Sequence, residues 1–168
     1  MTSFKEINPN DFNISPFKLI GMDWMLIVAG NKDKANAMTA SWGGLGVMWN
    51  KNVSYVVIRP QRYTKEFIDN LDTFSLCFFD ESYRKTLSYM GTISGRNEDK
   101  IKNSKLTLDF FNDTPIFAEA KNVIICKKLY AQNYDPNLFI DKQIDEQIYP
   151  NKDYHTLYIS EVMNILGK

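Results

Sequence analysis

Two arginines three positions apart lie in Val57-Ile-Arg-Pro-Gln-Arg-Tyr-Thr64, where a strand-like run meets a proline turn. Thr64 can cap a helix there, with Glu66 in its first turn and Phe67, Ile68 and Leu71 on one face. Guanidinium groups offer planar donor forks suited to phosphate, and a helix N-terminus adds free N–H groups and a favourable dipole. The segment reads as an anion seat; the competing reading is a strand end whose arginines pair with surface carboxylates. A second polar turn, Ser94-Gly-Arg-Asn-Glu-Asp-Lys100, has the same preference, because Gly95 permits close backbone approach and Ser94, Arg96 and Lys100 are phosphate-type donors. That stretch reads equally well as a capped helix start with its charges in water.

The segment Ala37-Met-Thr-Ala-Ser-Trp-Gly-Gly-Leu-Gly46 is rich in small residues that leave backbone N–H and C=O groups accessible to a flat ring, with Trp42 as part of a wall. A bulged strand and turn would explain the same glycines. They do not spell GxGxxG, and no strand–turn–helix with a following acidic residue surrounds them, so a dinucleotide fold is unsupported. His155 is the only histidine; its ordinary pKa near neutrality suits proton transfer or a hydrogen bond to a ligand, whereas a lone histidine is more often structural. One histidine and no CxxC assemble no familiar zinc site, so no metal is expected, and no Ser/His/Asp grouping can be read. Cys77 and Cys126 sit in apolar runs and read as small buried hydrophobes.

The elements that must position these residues are mostly strands. Apolar runs rich in β-branched and aromatic residues at 24–29, 37–42, 53–58, 74–79, 123–130 and 154–163 predict six strands. The polar link between the first two is too short for a crossover helix, which favours antiparallel pairing and a barrel over a βαβ sheet. Two helices are inserted: one from Thr64, and one carrying Tyr83, Leu87 and Met90 with Gly91 as its stop. With 168 residues, 44% of them hydrophobic, the chain reads as one domain over residues 1–168 with a real core, and only residues 133–152 resemble a flexible piece. Twenty basic residues against twenty acidic ones argue against nucleic acid as a partner. No secretory pattern and no apolar run near the roughly 18 residues of a membrane span is present, so the expectation is a cytoplasmic protein without membrane contact.

Taken in order, Asn36-Ala-Met-Thr-Ala-Ser-Trp-Gly-Gly-Leu-Gly46, Arg59-Pro-Gln-Arg-Tyr-Thr64 and Ser94-Gly-Arg-Asn-Glu-Asp-Lys100 resemble the flavin reductase-like family, including flavoredoxin-type proteins, over about residues 15 to 165. The resemblance implies an FMN-binding split β-barrel, mainly β with inserted helices and antiparallel in a Greek-key-like manner. It implies that Thr39, Ala40, Ser41 and Trp42 border the isoalloxazine through backbone and hydroxyl hydrogen bonds. Arg59, Arg62, Tyr63 and Thr64 would hold the ribityl-phosphate end, and Ser94, Arg96 and Lys100 a second phosphate-side loop. His155 resembles a late-strand histidine near the flavin, with a tuning role; residues 133–152 match nothing in the pattern. The implied activity is an NAD(P)H-dependent FMN oxidoreductase, with NADH or NADPH as donor and a homodimer holding FMN near its interface. The alternative is an FMN electron carrier served by a redox protein partner.

Overall fold

The computed structural model describes residues 4–168; the first three residues of the expected 1–168 domain lie outside it. Ten strands are described: β1 Lys5–Ile7, β2 Met25–Gly30, β3 Ala35–Ala40, β4 Gly43–Met48, β5 Lys51–Ile58, β6 Thr73–Phe78, β7 Leu108–Phe111, β8 Thr114–Phe117, β9 Asn122–Asn133 and β10 Thr156–Gly167. Four α-helices lie among them, α1 Tyr63–Asn70, α2 Arg84–Thr92, α3 Lys100–Ser104 and α4 Lys142–Ile148. The fold is mainly β and antiparallel with inserted helices, as expected.

Eight strands form one sheet in the order β3-β2-β6-β9-β10-β5-β4, with β1 paired alongside β10. β10 is shared along its length, pairing with β5 from Thr156 to Glu161 and with β1 near its end. Its register against β9 shifts between Ile159 and Ser160 and again between Val162 and Asn164, irregularities of the kind that bend and twist a sheet. The strand order begins with β3 and ends with β4, yet only Ser41 and Trp42 separate these strands in the chain. Three Cα steps reach at most roughly 11 Å, so the two outer edges of the sheet come close together without pairing. At that unpaired seam the sheet stays open.

The central strands are buried on both faces, which is why they read as continuous apolar runs rather than alternating ones. Met25, Ile27 and Ala29 of β2 join Phe74, Leu76, Phe78, Ile124 and Tyr158 on one side, with Ile68 of α1 against them. Leu26 and Val28 join Cys77, Val123 and Ile125 on the other, covered by Leu87 and Met90 of α2 and by Ile116 and Phe117 of the β7–β8 hairpin. Cys77 and Cys126 are free and buried, and burial pushes their thiols up to about 11 and about 12.

Several local expectations are corrected. The run at 37–42 ends as a strand at Ala40, and the glycines after it form β4. Gly43 has φ +148°, and a Cβ there would stand 2.4 Å from the Tyr55 carbonyl oxygen, so only glycine lets β4 lie against β5. Thr64 does not cap α1: the helix starts at Tyr63 after Arg62, and Thr64 is buried with its hydroxyl accepting from Asn36 Nδ2 at 2.8 Å. Gly91 does not stop α2 but lies within it, its missing side chain giving room to Thr39 of β3. Residues 133–152 carry the end of β9 and α4 rather than a structureless piece.

Candidate functional site

The β3–β4 seam opens on a cleft of about 270 Å³ lined by Met38, Thr39, Ala40, Ser41, Trp42, Val57, Arg59, Arg62 and His155. A second cleft, of about 330 Å³, shares Met38, Arg59 and Arg62 and adds Gln61, Tyr63, Thr64, Thr92, Ile93, Ser94, Gly95 and Lys100. Three separate stretches of sequence therefore converge on one elongated groove. Of the binding residues named from sequence, all line it except Arg96. A larger cavity of about 680 Å³ lies elsewhere, beside Lys18 and Lys121, but those cations are paired with Asp23 and Asp80.

One end of the groove is electrostatically unusual. Arg62 donates to the Gly91 carbonyl at 2.7 Å, and Lys100, only 3% exposed, donates to the carbonyls of Met90 and Ile93 at 2.9 and 3.0 Å. Neither meets a carboxylate among the described residues. Burial, and then Arg59, lowers the Arg62 pKa; burial, and then Arg62, brings Lys100 down to about 8. A half-buried and a buried cation without a carboxylate partner among the described residues form an arrangement that a nearby anion would stabilise. Gly95 keeps its loop tight at this end, since a Cβ would fall 2.2 Å from Asn36 Oδ1. Arg96 is engaged instead by the Glu66 carboxylate and the Gln61 carbonyl, with its guanidinium over the Tyr63 ring.

The seam end is quieter in charge. Thr39 spends its hydroxyl proton on the Leu87 carbonyl, so the hydroxyl donor expected from Thr39 is turned inward, while the Ser41 hydroxyl has no partner among the described residues. Trp42 is half exposed, its ring tilted 5.3 Å from that of His155. Arg59 pairs with Asp153, donates to the Ile148 carbonyl at 3.0 Å and lies over the Tyr149 ring. His155 is 7% exposed and its Nδ1 lies 2.8 Å from the Tyr149 hydroxyl. Burial first, then Arg59, brings its pKa down to about 4, so the expected titration near neutrality gives way to an uncharged imidazole.

Sequence reasoning missed the apolar lining from Met38 and Val57, the backbone at Thr92 and Ile93, and the support given by Tyr149 and Asp153. Met38 and Val57 carried a signal, since both lie within the segments 37–46 and 57–64 from which only their neighbours were singled out; Tyr149 and Asp153 carried none.

No family model and no curated protein matches the chain. Solved structures do match it over almost its whole length. Flavoredoxin from Methanosarcina acetivorans superposes with a TM-score of 0.69 at 22% identity, covering 98% of this chain and 75% of that one. An FMN-binding domain of a flavin reductases-like enzyme from Shewanella baltica gives 0.69 at 18%, covering 99% and 78%. A putative flavin reductase with split barrel domain from Shewanella frigidimarina gives 0.67 at 14%, covering 96% and 79%. At these identities the likeness is one of fold, and it bears out the split-barrel architecture.

Proposed function

We propose that this chain binds FMN in the seam groove and works as an NAD(P)H-dependent flavin oxidoreductase. The observation that carries the reading is the pair of half-buried Arg62 and buried Lys100, neither with a carboxylate partner among the described residues, at one end of a groove whose other end borders unpaired backbone. This donor set fits a ring ligand ending in a phosphate. Arg62 and Lys100 would hold the phosphate, with Ser94 and the backbone of residues 94–95 closing over it. The edge of β3 and the Ser41-Trp42 link would supply N–H and hydroxyl donors to the polar edge of the ring, fixed in place by strand pairing on the far side. Trp42 would wall the ring, and Met38 and Val57 would keep water from beneath it.

When bound, FMN supplies the chemistry of accepting hydride from NADH or NADPH, so the chain needs no acid, base or nucleophile of its own. What it contributes is position: a ring held on one side and open to a nicotinamide on the other. Exposed apolar residues Val47, Met48 and Trp49 at the β4–β5 turn, with Tyr130 beside Trp49, offer a face for a second copy, and a cytoplasmic homodimer belongs to the same reading. The fold shared with a flavoredoxin supports one alternative, an FMN electron carrier reduced by a protein donor. An absorption spectrum after FMN loading tests binding. Anaerobic bleaching by NADH or NADPH then favours the oxidoreductase, and reduction by a protein donor alone favours the carrier.

A further inference from the structure

His155 heads β10 and is the chain's one histidine. Tyr149, 2% exposed, places its hydroxyl 2.8 Å from His155 Nδ1, and that hydroxyl has no other partner among the described residues. If the ring donated from Nδ1, the phenolic proton would be sealed inside the protein with no acceptor, a costly arrangement. With the phenol donating, both groups are satisfied, and a neutral ring must then carry its proton on Nε2. Nε2 has no partner among the described residues. Trp42, Tyr134 and Tyr149 flank the ring, and His155 lines the seam cleft.

Resting on the flavin reading above, we propose that Tyr149 positions His155 as a fixed, neutral Nε2–H donor to a carbonyl oxygen of the ring ligand in the cleft, and not as a proton source. The two arginines near the imidazole act in the same direction. Arg59 and Arg62 oppose an imidazolium and Asp153 favours one, but burial and Arg59 outweigh it; Asp153 gives its Oδ2 to Arg59 and Gln61. Arg59 also holds the Tyr149 segment to the end of β5 through the Ile148 carbonyl and the face of the Tyr149 ring. Residues 133–152, unplaced by sequence, thereby deliver the hydroxyl that sets the tautomer.

The full chain labelled with 15N-histidine contains a single imidazole, so its two ring nitrogens can be read directly by long-range N–H correlation spectra. At about pH 7 the expected result is a proton on Nε2 and none on Nδ1, retained down to about pH 5, with the Nε2–H signal moving when FMN binds. Tyr149→Phe should mix the tautomers and raise the titration midpoint by about one unit or more toward its ordinary value. Tyr154→Phe, which removes a neighbouring hydroxyl that donates to Asp145 at 2.6 Å, should change neither. A proton on Nδ1 or an imidazolium at pH 7 would overturn the proposal, as would a Tyr149→Phe spectrum like the wild type. So would bound FMN that leaves Nε2–H unmoved. The wild-type tautomer decides even if Tyr149→Phe fails to fold. A chain that shows the Nε2–H form but takes up no FMN would refute the flavin reading and leave the positioning by Tyr149 standing.

Discussion

Replacing Lys100 with methionine keeps the unbranched stem that packs beneath α2 while deleting the buried ammonium group. Burial and the neighbouring Arg62 hold Lys100 down to about 8, so in the unliganded chain it is charged below that pH and neutral above it. A bound phosphate favours the charged form and raises the pKa again. FMN affinity should therefore be level between about pH 7 and 8 and then weaken about tenfold per pH unit, because binding must first restore the proton. At about pH 9 the loss is about tenfold, or about 1.4 kcal/mol. In Lys100→Met the charge-assisted hydrogen bond is absent at every pH. Its loss costs about 1.5–3 kcal/mol, which weakens FMN binding by roughly 10- to 100-fold at pH 7. The step above pH 8 disappears, and the two proteins converge at high pH, where the wild-type amine is also neutral. Riboflavin, with the same ring and no phosphate, should bind both proteins with one shared pH profile. Flavin fluorescence titrations from about pH 7 to 9.5 supply all four curves. A wild-type FMN affinity that stays level across that range, or an equal step for riboflavin, would refute the phosphate seat.

The partner cation gives a second expectation: Arg62→Ala should weaken FMN by roughly 10- to 100-fold and leave riboflavin nearly untouched, and an equal loss for both ligands in the same titration would contradict it. Leu76, fully buried at the middle of β6 between β2 and β9, should cost about 2–5 kcal/mol when cut to alanine, measured by urea unfolding; a loss below about 1 kcal/mol would mean the core is not closed there. Gly43→Ala combines a disfavoured φ with a clash on the Tyr55 carbonyl, so it should lower stability by more than about 1 kcal/mol in the same assay. Light scattering should find two copies per particle, and a flavin-bound monomer at micromolar concentration would count against the dimer.

Much of the fold was legible because its central strands are buried on both faces and their β-branched and aromatic runs stand out between polar turns. The elements that escaped lack that signature. β1 has three residues, and β4 hides in Gly43-Gly-Leu-Gly46, where glycine signals a turn. The β7–β8 hairpin did leave a trace in its two turn residues, Asn112 and Asp113, both at positive φ, between short runs ending and beginning at Phe111 and Thr114. At the site, residue type identified Arg59, Arg62 and Lys100 as anion donors, but type alone cannot say which cation finds a carboxylate. That depends on what packs nearby: Glu66 of α1 reaches Arg96, Asp153 reaches Arg59, and among the described residues only backbone carbonyls reach Arg62 and Lys100. Tyr149 was beyond sequence reasoning altogether, because it meets His155 and Arg59 only once the chain has folded.

The placement of the groove follows from the chain's topology. Strands adjacent in sequence usually pair, as β2 and β3 do, and as β4 and β5 do. β3 and β4 are joined by two residues and still do not pair, because each already belongs to an opposite edge of the same curled sheet. The edge groups left over beside Ser41 and Trp42 must meet water, another chain or a ligand, and a buried edge without partners would be costly. The turn after β5 brings Arg62 to this seam, and the start of α3 brings Lys100 to the adjoining cleft. Unfilled backbone hydrogen bonds at one end and uncompensated positive charge at the other thus arise from separate parts of the sequence and meet in one groove. A flat, hydrogen-bonding ring with an anionic tail satisfies both ends at once, whereas a neutral ring or a free anion would satisfy only one.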